Sequence, residues 1–149
     1  MHASNIMTHK LITLTPDATV HEAAATLRKH KLHDLPVIDA NGVPIGIVTA
    51  RAILHAALPD YVSEELLSPM RGGPDIPSIY QHLKGISEHP VSEVMDLKFM
   101  MVRGDDPTIS IAAQLVFLQS DSHNILVIDS EGKLTGTISA LDIVNRMPE

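Results

Sequence analysis

The sequence predicts a mixed α+β (α/β) fold in which two β-α-β-β-α repeats pack together. The first observation is an internal duplication, because residues 33–42 (H-D-L-P-V-I-D-A-N-G) match residues 123–132 (H-N-I-L-V-I-D-S-E-G) at an offset of 90. The second is that each copy alternates short apolar runs with segments of helical period. The third is size, since a copy of about 50 residues is too small to bury its apolar faces alone. Both copies are therefore expected to fold as one unit.

Each repeat begins with a short strand and an amphipathic helix. We expect the strand at residues 11–14 in the first copy and at residues 100–102 in the second. Asp17 and Asp106 lie just upstream of the helices, where first-turn or capping acids are common. The apolar positions that define the two buried helix faces are Val20, Ala23, Ala24 and Leu27, and then Ile109, Ala112, Ala113 and Val116.

A hairpin and a second helix complete each repeat. The turns of the hairpins carry Gly42 and Gly132, where a positive φ is expected. The hairpin strands are predicted at residues 35–38, 45–48, 125–128 and 135–138. The closing helices are predicted at residues 51–57 and 141–146.

The repeats are predicted to span residues 1–57 and 93–149, and residues 58–92 between them do not share the repeated sequence pattern. A short helix is expected to begin near Ser63, and residues 71–77 (R-G-G-P-D-I-P) carry the signals of a loop. Residues 78–84 are expected to form another helical turn or two. We interpret this segment as a connection that lies over one face of the module, with a partner-binding element or an active-site lid as the alternatives.

Composition excludes several classes of function. The net charge is −7 with a pI near 5.6, and no stretch is densely basic, which disfavours binding to nucleic acid. The absence of cysteine excludes disulfides and thiolate metal sites. Because the sequence shows no signal-peptide pattern and no apolar run of about 20 residues, we expect a cytoplasmic protein that does not enter a membrane.

Neither catalysis nor metal binding is predicted from the residues present. Ser139 has no base at a recognisable spacing, cysteine is absent, and no glycine-rich phosphate loop occurs. The chain is therefore not expected to be an enzyme. His30 and His33 are three residues apart, but no third ligand accompanies them at a suitable spacing, so no metal site is expected.

A motif that closes each repeat carries the strongest functional signal. Residues 136–143 read G-T-I-S-A-L-D-I, in which Ser139 has the position of an N-cap and Asp142 that of its N3 partner in a capping box. A capping box alone would explain this pair. A strand that delivers a hydroxyl and free N–H groups at a helix start also favours an anion-binding pocket. Residues 46–53 read G-I-V-T-A-R-A-I, with Thr49 as the hydroxyl but Ala52 in place of the acid.

The sequence resembles a tandem cystathionine-β-synthase (CBS) domain pair, or Bateman module. The I-M-T opening at residues 6–8, the L-P-V-I-D-x-x-G core and the two closing motifs carry the resemblance, which covers the chain except for residues 58–92. It implies that the repeats pack with pseudo-twofold symmetry and leave two clefts between them. Such modules commonly form disc-like dimers and act as sensors. Their clefts typically bind adenine nucleotides and less often S-adenosylmethionine or NAD.

The resemblance also implies roles for individual residues. Ser139 would face ribose or phosphate, and Asp142 would accept hydrogen bonds from the ribose hydroxyls. The residues implied near the base are Thr8, His9, Lys10, Leu11, Leu32, His33 and Asp34. Those implied as phosphate contacts are His33, His123, Lys10, Lys98 and Arg51. Because Ala52 lacks an acceptor worth about 2 kcal/mol, or about 30-fold in affinity, we expect one competent cleft per chain.

Two functions follow as hypotheses. In the first, the chain is a regulatory module that binds AMP, ADP or ATP, with or without Mg²⁺, in the cleft of Asp142. The module would then signal to a target protein through the geometry of its homodimer. In the second, the module is a ligand-independent dimeric scaffold in which residues 58–92 recognise a partner protein.

Overall fold

A computed structural model describes residues 1–60, 62, 64, 78–118 and 122–148. Two sheets form, one with β1 beside β2 and one with the order β3-β4-β5. The elements in chain order are α1 (Ala3–Ile6), α2 (Val20–His30), β1 (Asp34–Ile38), β2 (Pro44–Thr49), α3 (Ala50–Ala57), α4 (Ser78–Ile86), a 3₁₀ turn (Val91–Glu93), β3 (Met101–Arg103), α5 (Thr108–Phe117), β4 (Asn124–Ile128), β5 (Leu134–Ser139) and α6 (Ala140–Val144). The predicted α+β class is confirmed. No helix within these described ranges is long and apolar enough to cross a membrane.

The two hairpins agree closely with the prediction. Strands β1 and β2 pair antiparallel, as do β4 and β5. Gly42 and Gly132 have φ values of 82° and 83°, which confirms the predicted positive φ at both turns. Asp39 closes the first turn by accepting hydrogen bonds at Oδ1 from the N–H groups of Asn41 (2.8 Å) and Val43 (3.0 Å). Asp129 does the same in the second turn.

The strand predicted at residues 11–14 is wrong. Only Leu14 pairs, as an isolated parallel bridge to Val37. Its N–H donates to Pro36 O at 2.9 Å and its carbonyl accepts from Ile38 N at 2.9 Å. The counterpart β3 does form, because three consecutive residues reach the ladder of β4. An apolar run becomes a strand only where a neighbouring edge continues beside it.

The predicted capping acids are also wrong. Thr19 caps α2 in a capping box with Glu22: Thr19 Oγ1 accepts from Glu22 N, and Glu22 Oε2 accepts from Thr19 N, both at 3.1 Å. Asp17 lies in the preceding turn, where a hydrogen bond from Thr15 lowers the pKa of its carboxyl group. Asp106 accepts at Oδ2 from Arg103 N at 3.0 Å, also before the helix begins.

The buried face of α5 differs from the prediction. Ile111 is fully buried, whereas Ile109 is 79% exposed and Val116 is 73% exposed. Because α5 is apolar around most of its circumference, periodicity alone admits more than one buried face, and the core takes Ile111 with half-buried Leu115. The face predicted for α2 is confirmed at Val20, Ala23 and Leu27, while Ala24 is exposed.

The chain exchanges segments between the repeats. Ala3 and Ile6 of α1 are buried in the core of the second repeat with Ile111, although they stand at the start of the first repeat in sequence. Conversely, Val91 is buried in the core of the first repeat, with Leu83 and Ile86 of α4 packed against it. Helix α4 confirms the helical turns predicted at residues 78–84. The helix start predicted near Ser63 and the loop predicted at residues 71–77 lie outside the described residues.

Two equivalent backbone pairs join the repeats. Thr8 N donates to Thr137 O at 2.8 Å, and Thr137 N donates to Thr8 O at 3.1 Å. Ile47 and Asp96, which hold the corresponding positions in the other repeat, exchange bonds of 3.0 and 2.8 Å. These pairs place β2 and β5 in equivalent surroundings, as the predicted pseudo-twofold packing requires.

Candidate functional site

A cleft of about 170 Å³ lies between the repeats beside the Thr8–Thr137 pair. The segment after α1 supplies one wall, the start and middle of β1 supply the floor, and the end of β5 with the first turn of α6 supplies the opposite wall. The lining residues are Thr8, Lys10, Leu11, Ile12, Leu32, Asp34, Pro36, Asn124, Thr137, Ser139 and Asp142.

Ser139 and Asp142 form the predicted capping box at the start of α6. Ser139 N donates to Asp142 Oδ2 at 2.8 Å, and Asp142 N donates to Ser139 Oγ at 3.3 Å. Both side chains are half-buried in the cleft wall. Asp142 Oδ1 accepts no hydrogen bond from the part of the chain that the structure describes. Capping therefore occupies one carboxylate oxygen of this lining residue and leaves the other without a donor among the described residues.

Asp34 joins the two repeats at the floor of the cleft. Its side chain is buried, at 4% exposure. Oδ2 accepts from Ser122 Oγ and His123 N, both at 2.9 Å, and Oδ1 accepts from Asn124 Nδ2 at 2.6 Å. All three donors are neutral and belong to the second repeat. Such a network satisfies the buried carboxylate and fixes the position of β1 relative to β4.

The structure brings seven of the thirteen predicted site residues together as cleft lining: Thr8, Lys10, Leu11, Leu32, Asp34, Ser139 and Asp142. His33 and His123 are exposed outside that lining and face each other, with ring centroids 5.0 Å apart and planes tilted by 55°. Thr49 is buried as the N-cap of α3 and accepts from Ala52 N at 2.9 Å. His9, Lys98 and Arg51 are exposed and do not line the cleft, so the structure does not bring the implied phosphate contact Lys98 to it.

Four lining residues were not predicted: Ile12, Pro36, Asn124 and Thr137. The sequence carried a signal for two of them. Asn124 is the repeat equivalent of Asp34, and Thr137 lies two residues before Ser139, on the same face of β5. Ile12 and Pro36 carry no comparable polar signal.

At the equivalent position of the other repeat, the side chains form an apolar cluster. Ile47, the counterpart of Thr137, is 1% exposed, and Leu126, the counterpart of Pro36, is fully buried. Phe99, the counterpart of Leu11, packs against both in one apolar cluster. Ala52 stands where Asp142 stands in the open cleft. The two clefts thus share a backbone frame but differ in the side chains that line them.

The open cleft suits a small polar molecule rather than a metal ion. It offers hydroxyls from Thr8, Thr137 and Ser139 and one free carboxylate oxygen, beside the ammonium group of Lys10. No three histidine, aspartate or glutamate side chains converge as a metal cluster anywhere in the described ranges. Hydroxyls and a carboxylate acceptor are groups that recognise a polyhydroxylated ligand through hydrogen bonds.

Comparison with curated proteins finds relatives that match most of this chain. An uncharacterized 17.7 kDa protein of Acidianus ambivalens is 28% identical over 144 residues, which cover 97% of this chain and 71% of that protein. The inosine-5′-monophosphate dehydrogenase of Aquifex aeolicus is 27% identical over 135 residues, or 91% of this chain. This chain spans only 22% of the length of that enzyme.

Solved structures share the fold. The CBS-pair protein CBSX2 from Arabidopsis thaliana aligns with a TM-score of 0.74 at 22% identity, covering 97% of this chain and 92% of that one. A structure of CBSX2 in complex with AMP aligns with a TM-score of 0.70 at 23% identity, covering 97% and 93%. The CBS domain family model matches residues 3–59 and 91–149. This chain therefore belongs to the CBS-domain family, with two CBS repeats in tandem.

Proposed function

We propose that this chain is a ligand-sensing CBS pair that binds an adenine nucleotide in the cleft of Ser139 and Asp142. One observation carries the proposal: Asp142 lines the cleft, and its Oδ1 accepts no hydrogen bond from the described residues. A half-buried carboxylate oxygen is a strong acceptor for ribose hydroxyls, and each such bond is worth about 1.5–3 kcal/mol. The AMP bound by CBSX2 supports the choice of an adenine ligand.

The lining residues divide into two sets by chemistry. Ser139, Asp142 and Thr137 would hold the ribose and the first phosphate, because they gather polar side chains and the helix start of α6. Leu11, Ile12, Leu32 and Pro36 offer apolar surface to the adenine base from the first repeat. The polar groups of the described lining are hydroxyls, an amide, carboxylates and one ammonium group, which are suited to holding a ligand by hydrogen bonds.

Signalling would require a surface that reports occupancy, and we propose a homodimer for this role. The exposed apolar side chains of α5 and α6 support that proposal, since large exposed apolar patches mark interaction sites. They are Ile109 (79% exposed), Val116 (73%), Phe117 (79%), Leu141 (64%) and Val144 (57%). Ligand would alter the dimer, and through it a target protein, only if the two dimer states bind the ligand with different affinity.

Thermal unfolding and calorimetry with AMP, ADP, ATP, NAD and S-adenosylmethionine, with and without Mg²⁺, test this proposal. A ligand at 100 times its Kd adds about 2.7 kcal/mol to the free energy of unfolding. Asp142→Ala should weaken binding of the active compound by about 30-fold or more. Glu22→Ala is the matched control, because Glu22 is the N3 acid of the capping box of α2 and does not line the cleft.

The control separates loss of ligand from loss of a helix cap. Both variants should lose about 1 kcal/mol or less of stability, but only Asp142→Ala should lose binding. Equal nucleotide affinity in Asp142→Ala and the unmodified protein would remove the ribose assignment. If the unmodified protein binds none of the five compounds, the exposed faces of α5 and α6 favour the dimeric scaffold, and a partner protein becomes the ligand to seek.

A further inference from the structure

We infer that the open cleft selects its ligand by charge and binds an adenine nucleoside monophosphate in preference to the diphosphate and the triphosphate. This inference rests on the proposed function and narrows it to one ligand class. Two independent features of the cleft support it: the balance of charged lining groups and the small enclosed volume.

The described lining of the cleft contains one cation and two carboxylates. Lys10 is the sole basic residue among the eleven lining residues, and Asp34 and Asp142 are the acids. The three hydrogen-bond donors to Asp34 are neutral, so no cation compensates its charge. Lys10 is exposed and makes no ion pair with any residue in the described ranges. One ammonium group can therefore meet one phosphate, while the described lining offers no second cation to a further phosphate.

The volume leads to the same ligand class. At about 170 Å³ the cleft is smaller than the roughly 300–1,000 Å³ typical of pockets that enclose a small molecule. A nucleoside with one phosphate can place its sugar and part of its base inside. A second and third phosphate would extend past the lining residues, over a protein whose net charge is −7. Each added phosphate therefore costs electrostatic repulsion without a compensating contact.

His33 and His123 are the groups that could oppose this inference. They are adjacent in sequence to lining residues Leu32, Asp34 and Asn124, and their rings are 5.0 Å apart. If the pair accepted the outer phosphates, the triphosphate would bind at least as tightly as the monophosphate. The ranking of nucleotide affinities thus decides between the two arrangements.

The experiment measures Kd for adenosine, AMP, ADP and ATP by calorimetry without Mg²⁺, on the full chain, at 0.1 M and 1 M salt. We expect AMP to bind about tenfold more tightly than ATP at 0.1 M salt. That ratio should shrink at 1 M salt, where the Debye length falls from about 10 Å to about 3 Å. Lys10→Met should reduce AMP affinity to near that of adenosine.

Lys98→Met is the matched control, because Lys98 is the exposed counterpart of Lys10 in the other repeat and does not line the cleft. It should leave all four affinities unchanged. Failure of all four compounds to bind would overturn the proposed function itself. ATP binding as tightly as AMP, an AMP preference that is insensitive to salt, or equal effects of the two lysine variants would overturn the charge selection while nucleotide binding stands.

Discussion

The two clefts of this molecule have equivalent backbones but different contents. Thr8 and Thr137 exchange two backbone hydrogen bonds beside the open cleft. Asp96 and Ile47 exchange two at the equivalent position of the other repeat. Thr137 lines a polar space, whereas Ile47 is buried with Leu126 in an apolar cluster. The fold of a repeat is thus preserved by main-chain pairing, while the capacity to bind a ligand depends on a few side chains that project from that frame.

An equivalent glycine–methionine contact in each repeat keeps the two backbones alike. A Cβ atom added at Gly46 would lie 2.5 Å from Met95 Sδ, and one added at Gly136 would lie 2.7 Å from Met7 Sδ. Each glycine therefore admits a methionine from the segment that crosses over from the other repeat. The equivalence of these contacts keeps β2 and β5 in matching positions even though the neighbouring clefts have diverged.

The largest expected effect comes from removing Asp34, whose side chain joins the two repeats. Asp34→Ala deprives Ser122, His123 and Asn124 of a shared buried acceptor. We expect a loss of about 3 kcal/mol in the free energy of unfolding, measured by urea denaturation. Asp34→Asn is the control, because it retains an acceptor oxygen and the volume. A loss below about 1 kcal/mol in Asp34→Ala would show that the network does not hold the repeats together.

The second prediction concerns a substitution that gives the open cleft the apolar side chain found at the equivalent position of the other repeat. Thr137→Ile introduces the side chain that Ile47 supplies in the other repeat, and it should obstruct the cleft. Nucleotide affinity should fall at least tenfold, about 1.4 kcal/mol, while stability stays level or rises by up to about 1 kcal/mol. Thr137→Val removes the hydroxyl with little change of volume, so it separates lost hydrogen bonding from obstruction. Full binding by Thr137→Ile would contradict the assignment of this cleft.

The third and smaller effect concerns the ends of the first helices. The residue that follows α2, its C-cap Lys31, has a left-handed backbone conformation (φ 54°, ψ 47°). The C-cap of α5, Leu118, is extended. A left-handed lysine is strained, and glycine relieves that strain at some cost in chain entropy. Lys31→Gly should therefore add about 0.5 kcal/mol to the free energy of unfolding. Leu118→Gly, the counterpart without that strain, should destabilise; the reverse ranking would contradict this explanation.

The sequence predicted those parts of the fold that depend on local chemistry and on the duplication. Both hairpins, their glycine turns and the capping box of Ser139 and Asp142 formed as expected. Features that depend on a spatial partner were missed. Residues 11–14 lacked a continuous strand partner, and α5 carried two apolar faces between which only the core could choose. The apolar cluster at the equivalent position of the other repeat was not predicted, because Ile47 and Leu126 become neighbours only after the repeats pack.

That omission changes the last prediction, which has the smallest expected effect. Ala52, which stands where the second repeat has Asp142, would by itself make the first-repeat cleft weak, and on that ground alone Ala52→Asp would create or strengthen binding there. Because Ile47, Leu126 and Phe99 form an apolar cluster at this position, we expect them to leave no room for a ribose beside the added carboxylate. We now expect Ala52→Asp to leave the stoichiometry at one nucleotide per chain in calorimetry. A second binding event in Ala52→Asp alone would contradict this expectation and show that the apolar cluster opens readily. A second binding event only in the double variant Ala52→Asp with Ile47→Thr would show that apolar packing, and not the missing acid, prevents binding there.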